Sequence, residues 1–287
     1  MLEQEILEKW VHESPEDQLR TRQAIHILLT AISLSNELRL QMVMKGGMLM
    51  AIKYASHRFT SDIDFSTDIH YRDFNVEEFI QKLDQAIQEA LGQLTDYPLA
   101  MRVQGYTVQP GQDEKYNFHT MNIRVGYADK NHRSAMNRLK NGQSPTRVSI
   151  DYSFNELFTE VSLGEEADSI QVYGEVTLFA EKFRAILQQK ENRKSRGQDI
   201  YDLCYFLEKE GFNPDKKETL LKQMLQKAAD RHLHIDQHSM SDPEIKQKSQ
   251  RSYGQLQIQV GDEVLDFEHA YSALQQFYES LPWHALN

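Results

Sequence analysis

Apolar residues recur at helical spacing from Leu19 through Ala24, Ile27, Leu28 and Ile32 to Leu38. Ser14-Pro15-Glu16-Asp17 precedes them and predicts an N-cap with proline at the first helical position. Met42 to Met44 is a short apolar segment leading into Lys45-Gly46-Gly47 and a second helical stretch that ends near Tyr54. Phe59 to Ser66 reads as a strand with one polar and one apolar face, and Val76 to Leu91 returns to the helical period. Strands follow at about Ala100–Val108, Phe118–Tyr127 and Thr146–Ser153, separated by polar and glycine-containing turns. A short strand near Ser169–Tyr173 precedes Gly174. Beyond it the pattern is helical, at about Thr177–Gln189, Gln198–Lys209, Lys217–Arg231 and Asp266–Tyr278.

Strands and helices are thus mixed up to about residue 175, and helices dominate afterwards. Such segregation predicts an α+β fold rather than a doubly wound parallel sheet. It divides the chain into an α+β domain with N-terminal helices (1–174) and an α-helical C-terminal domain (175–287).

Composition narrows this picture. Of 287 residues, 40% are hydrophobic and 26% charged, the balance of a folded chain rather than a disordered one. The single cysteine, Cys204, excludes an internal disulfide or a multi-cysteine zinc site and suits a reducing compartment. No apolar run approaches the ~20 residues that cross a bilayer. The acidic start Met1-Leu2-Glu3-Gln4-Glu5 has neither the basic nor the apolar region of a signal peptide. A cytoplasmic protein without a membrane partner is expected.

The net charge of −11 argues against nonspecific coating of nucleic acid. Two stretches are locally basic. Lys130, Arg133, Arg138, Lys140 and Arg147 occur in a run free of Asp and Glu, and its Asn131, Asn137 and Asn141 suit a loop. Between Lys182 and Arg196, six basic residues face only Glu191. Either run could be a solvated surface. Alternatively, Arg133, Arg138 and Lys140 in the first and Arg193, Lys194 and Arg196 in the second could meet an RNA backbone, where Lys and Arg give affinity without sequence choice.

The most informative stretch is Arg58-Phe59-Thr60-Ser61-Asp62-Ile63-Asp64-Phe65. Side chains alternate along a strand, so Asp62 and Asp64 share one face while Ile63 and Phe65 can enter the core. Val148-Ser149-Ile150-Asp151-Tyr152 repeats the arrangement with a single aspartate. If the two strands are neighbours, three carboxylates occupy one surface. Such a surface can be a solvated strand face. It can also hold two divalent ions about 3.5–4 Å apart for phosphoryl or nucleotidyl transfer. Mg²⁺ prefers oxygen ligands and keeps coordination positions for phosphate and water. Gly46-Gly47, opening a helix, would let backbone N–H groups approach phosphate oxygens.

These pieces resemble a known family. Lys45-Gly46-Gly47 followed by Arg58-x-Thr60-Ser61-Asp62-Ile63-Asp64-Phe65 is similar to the opening motif of the nucleotidyltransferase-like AbiEii/AbiGii toxins. Ile150-Asp151, Leu178-Phe179-Ala180-Glu181-Lys182-Phe183-Arg184-Ala185 and Arg196-Gly197-Gln198-Asp199-Ile200-Tyr201-Asp202-Leu203 come after it in the family's order. The resemblance implies a polymerase β-like nucleotidyltransferase domain with a mixed sheet, followed by a helical part. It implies a metal-dependent (Mg²⁺ or Mn²⁺) transferase moving a nucleotide from an NTP to RNA, such as the tRNA 3′ acceptor end, to inhibit translation and growth beside an antitoxin encoded nearby. On this resemblance Asp62 and Asp64 bind metal, with Asp151 as a further ligand, and Asp62, Asp64, Lys182 and Asp199 are catalytic. Gly46 and Gly47 cradle the triphosphate, with Lys45, Arg58, Ser61 and Lys182 also binding nucleotide. Gly47 stands where the standard nucleotidyltransferase motif has serine.

The residues also admit plainer roles. Lys182 can snorkel from a helix. Asp199 and Asp202 sit three apart in a first turn, where the helix dipole favours acids. His232, His234 and His238 read as surface histidines and Cys204 as core. A protein or small-molecule hydroxyl as acceptor, or a non-catalytic binding role for the fold, are the competing functions.

Overall fold

The computed structural model describes residues 3–56, 58–111, 116–156, 158, 161–162, 169–192, 194–209, 211–256, 260 and 264–286, with side chains omitted at 161–162 and 285–286. The chain forms two compact units, Met1–Lys53 with Thr60–Tyr173, and Tyr54–Phe59 with Gly174–Asn287.

The first unit is built on a mixed sheet. Its strands are β1 (Val43–Lys45), β2 (Asp62–Ser66), β3 (Leu99–Gln109), β4 (Thr120–Asp129), β5 (Arg147–Ser153), β6 (Val161–Ser162) and β7 (Val172–Tyr173), in the order β3-β4-β5-β2-β1-β7-β6. β2 runs parallel to β5 and antiparallel to β1, with Asp64 opposite Asp151 on one side and Lys45 on the other. One sheet face is apolar because alternate positions are: Ile63, Phe65, Ile123, Val125, Ile150 and Tyr152 are all buried. Helices α2 (Leu19–Leu34) and α5 (Val76–Gln93) pack in this core; Tyr152 stacks on Phe79 at 5.2 Å and donates a 2.9 Å hydrogen bond to the Gln41 carbonyl. α2 is buried on all sides from Gln23 to Ser33, so its polar groups need internal partners. His26 Nδ1 meets the Tyr97 hydroxyl at 2.8 Å, and burial pushes the imidazole down to about 4, keeping it neutral. α1 (Gln4–His12) adds Leu7, Trp10 and Val11 to the same core, and α3 (Asn36–Gln41) and α4 (Gly46–Lys53) flank β1.

The second unit is helical in its described residues: α7 (Glu175–Leu187), α8 (Gly197–Lys209), α9 (Pro214–Asp230), α10 (Pro243–Tyr253) and α11 (Phe267–Glu279). Its core is aromatic: Phe179 lies 4.9 Å from Phe206 and 4.6 Å from Phe212, and Phe183 lies 5.6 Å from Tyr278. Cys204 is buried there. No helix among the described residues is long and apolar enough to cross a membrane.

Several expected elements differ. Ser14 does not cap a helix. Gln18 N–H bonds to the Pro15 carbonyl in a turn, and α2 begins only at Leu19. The strand expected from Phe59 starts at Asp62, because the Asp62 N–H is taken by Thr60 Oγ1 at 3.3 Å, a local turn that competes with a ladder. The basic run expected as a loop contains α6 (Arg133–Lys140), whose His132 cap accepts from the Ala135 N–H.

Candidate active site

The strand alternation places Asp62, Asp64 and Asp151 on the face of the sheet opposite the core. Asp62 is exposed and Asp64 and Asp151 half-buried, whereas Ile63, Phe65 and Ile150 between them are fully buried. The register sets Asp64, Asp151 and Asn122 in one row across β2, β5 and β4, with Asp62, Ser149 and Arg124 in the next. Asn122 Nδ2 donates to Asp151 Oδ1 at 2.7 Å.

Gly46 begins α4 with φ +77°, and a Cβ placed there would lie 2.0 Å from Asp64 Oδ2. Glycine is needed at this position twice, for the left-handed backbone and for the carboxylate packed against it. Gly47 follows in the first turn of α4, so the helix starts with two residues lacking side chains. Lys45, across the ladder from Asp64, is buried, with Nζ 5.9 Å from the centre of the Tyr173 ring. Ser61 immediately precedes β2. Gly46→Ala should cost about 1–2 kcal/mol from the backbone alone, lowering the melting temperature by roughly 2–8 °C, and should displace Asp64. Differential scanning calorimetry with an unchanged transition would show that the site tolerates a side chain here.

Charge is crowded on this face. Desolvation and the like charge of Asp151 raise the pKa of Asp62, while Arg147 and a hydrogen bond from Ser149 pull the other way. A cation would relieve that repulsion, and the donors are all oxygen, the set that Mg²⁺ or Mn²⁺ accepts. Among the described residues, no three His, Cys, Asp or Glu side chains form a group that could hold a metal ion. The expected trio therefore shares a face without closing into a protein-only cage. A pair of carboxylates completed by substrate oxygens and water is the arrangement Mg²⁺ usually takes with phosphates.

The later motif residues meet in the second unit. Lys182, 5% exposed on α7, donates from Nζ to Asp199 Oδ1 at 2.8 Å and to Asp202 Oδ2 at 2.7 Å on α8. Arg58 lies within this unit, where its Nε and Nη2 donate to the two oxygens of Asp202 at 3.1 and 2.9 Å. Asp202 is wholly buried. Burial by itself would raise Asp202, but the charges and hydrogen bonds of Lys182 and Arg58 hold it below the usual carboxylate range. Burial would lower Lys182, but Asp199 and Asp202 hold it above the usual lysine value. Lys182 is therefore no snorkelling surface lysine, and the acids on α8 do more than complement a helix dipole. Arg196 reaches Asp199 at 3.6 Å.

The expected RNA contacts fall in both units. Arg133, Arg138 and Lys140 are exposed on α6, and Lys194 is exposed before α8. Arg193 lies outside the described residues. His232, His234 and His238 are exposed. Two groups escaped sequence reasoning. Asp202 carries more of the buried network than Asp199, and its apolar surroundings on α8 are the signal that could have placed it inside. Arg124 joins the carboxylate face only through the β4–β5 register, which local periodicity does not encode.

A family model described as the nucleotidyl transferase AbiEii toxin of type IV toxin–antitoxin systems matches residues 27–277. A crystal structure of a proposed nucleotidyltransferase from Helicobacter pylori is similar at a TM-score of 0.52 and 15% identity, over 96% of this chain and 99% of that one. The structure of JHP933 from Helicobacter pylori is similar at 0.50 and 15%, over 93% and 92%. At that identity the likeness speaks for the fold. No curated protein matches the sequence.

Proposed function

The chain belongs to the AbiEii nucleotidyltransferase toxin family of type IV toxin–antitoxin systems, and from that premise we propose that it transfers a nucleotide from an NTP to RNA, at the 3′ acceptor end of tRNA, in a metal-dependent reaction that inhibits translation and growth. One observation carries this reading. Asp62 and Asp64 share the outward face of β2 in register with Asp151, with Gly46 pressed against Asp64. Carboxylates at that spacing beside a side-chain-free helix start suit a triphosphate better than they suit a stable empty surface.

In this reading Asp62 and Asp64 hold Mg²⁺ or Mn²⁺, which when bound neutralises charge on the phosphates and orients them. The backbone of Gly46 and Gly47 receives the triphosphate, with Lys45 and Ser61 near it in sequence. Asp151, held by Asn122, keeps the face acidic and orders the row. In the second unit the ammonium of Lys182 is fixed by Asp199 and Asp202, and Arg58 anchors Asp202, which gives that unit a held positive charge. The protein works in the cytoplasm, restrained by an antitoxin encoded nearby.

Purified protein incubated with each labelled NTP, Mg²⁺ and total tRNA should place label at the tRNA 3′ end, and EDTA should abolish it. Label confined to protein would favour a protein hydroxyl as acceptor. Transfer to no acceptor with any NTP would favour a binding role for the fold.

A further inference from the structure

The sheet order divides the outward face into two sides. On one side of the aspartates lie β1 and the glycines of α4, and on the other lie β5, β4 and β3. Beyond the row of Asp62, Ser149 and Arg124 comes a row of Arg147, Gly126 and Arg102. Arg102, Arg124 and Arg147 are all exposed. They come from three strands and are far apart in sequence, yet the register gives them one face.

The patch has more donors than acceptors. Arg124 and Arg147 form no ion pair among the described residues, and Arg102 Nη1 is tied only to the Lys140 carbonyl, at 3.1 Å. The surface is also kept low. Gly105, with φ +146°, leaves room for the Arg124 guanidinium, since a Cβ there would sit 3.2 Å from Nη2. Gly126 leaves room for the side chain of Gln104, whose Nε2 is buried without a hydrogen-bond partner. Three exposed guanidiniums on one face, flanking the aspartate rows, fit a polyanion.

We propose that Arg102, Arg124 and Arg147 form a docking track for the phosphates of the acceptor strand, on the opposite side of the aspartates from the donor nucleotide. The inference rests on the reading that the acceptor is RNA. It assigns donor and acceptor to opposite flanks of β2, so that an acceptor hydroxyl reaches the aspartate row from the β5 side. Arginine suits this task because its planar fork pairs with phosphate oxygens in two places at once.

The test uses full-length protein with Arg102→Ser and Arg124→Ser combined, and Arg124→Ser alone in case the pair perturbs α6. Arg147 stays in place because its charge also acts on Asp62. Binding of total tRNA is measured by fluorescence anisotropy without NTP across a salt series, and KM is measured separately for tRNA and for NTP. The tRNA Kd should rise about tenfold or more, and the slope of log affinity against log salt should shrink by about 0.7–0.9 for each phosphate that an arginine no longer neutralises. The KM for tRNA should follow while that for NTP stays within about twofold, and Arg124→Lys should recover part of the affinity. Unchanged tRNA affinity and salt slope, a rise in the NTP KM alone, or a wild type that binds no RNA would overturn the track. Failure of the transfer reading is distinct: wild-type protein would bind tRNA through these arginines yet transfer nothing to it. Transfer to tRNA that is indifferent to the arginines would leave the reading and remove the track.

Discussion

Asp64→Asn should lower nucleotide transfer by at least about 10²–10³-fold while leaving the fold intact, the scale on which one preorganised charged group at a reacting phosphate acts. The substitution is nearly isosteric, so Gly46 keeps its neighbour and Asp64 keeps its place in the ladder opposite Asp151 and Lys45. What changes is one negative charge on the face that also carries Asp62 and Asp151, where desolvation and then the like charge of Asp151 raise the pKa of Asp62. The melting temperature should hold within a few degrees, because the side chain keeps its size and its place in the ladder. Loss of transfer with retained stability separates a catalytic aspartate from a structural one. Growth inhibition by the expressed protein should be relieved in parallel. Transfer within about tenfold of wild type would place the chemistry elsewhere and leave Asp62 and Asp64 as a solvated strand face.

How much of this was readable beforehand depends on whether the information was local. Period-two alternation is local, so the shared face of Asp62 and Asp64, and the isolated Asp151, were legible; the parallel pairing of β2 with β5 was only a condition, since strand order is set by long-range packing. Asn213-Pro214 and Asp242-Pro243 went unread, yet they open α9 and α10 with side-chain caps, as the rule for proline at the first helical position requires. Ser14-Pro15 carries the same signal and opens only a turn, because the buried stripe that holds α2 in the core starts at Gln23, too far on for tertiary packing to stabilise a helix from residue 15. α1 went unread although Leu7, Trp10 and Val11 stand at helical spacing, because the acidic residues around them obscure the stripe. α6 was hidden because only Leu139 in it is buried. The meeting of Arg58 with Asp202, across 144 residues of chain, has no sequence signal at all.

That meeting has the largest expected consequence for stability. Asp202 accepts from both Arg58 and Lys182, through three hydrogen bonds at 2.7 to 3.1 Å. Asp202→Ala would leave two buried cations short of a counter-charge, Lys182 retaining Asp199 at 2.8 Å. Breaking a buried pair by deleting one partner costs about 3–5 kcal/mol, because the remaining charge stays desolvated. Urea unfolding followed by circular dichroism should show the midpoint falling by about 1 M or more at an m-value near 2–3 kcal/mol per M. The pH dependence carries the sign. The folded-state pKa of Asp202 is depressed, so its contribution is present above the unfolded aspartate value of about 3.9 and is lost as pH falls through the lower, folded value. Lys182 is raised, so its contribution is full below the unfolded lysine value of about 10.4 and is lost as pH rises through the higher, folded value. Asp202→Asn, which keeps an acceptor but no charge, should flatten the acid limb of the stability curve relative to wild type. An Asp202→Ala protein with an unshifted urea midpoint, or an acid limb identical in Asp202→Asn and wild type, would mean that the charges of Arg58 and Lys182 are satisfied without Asp202.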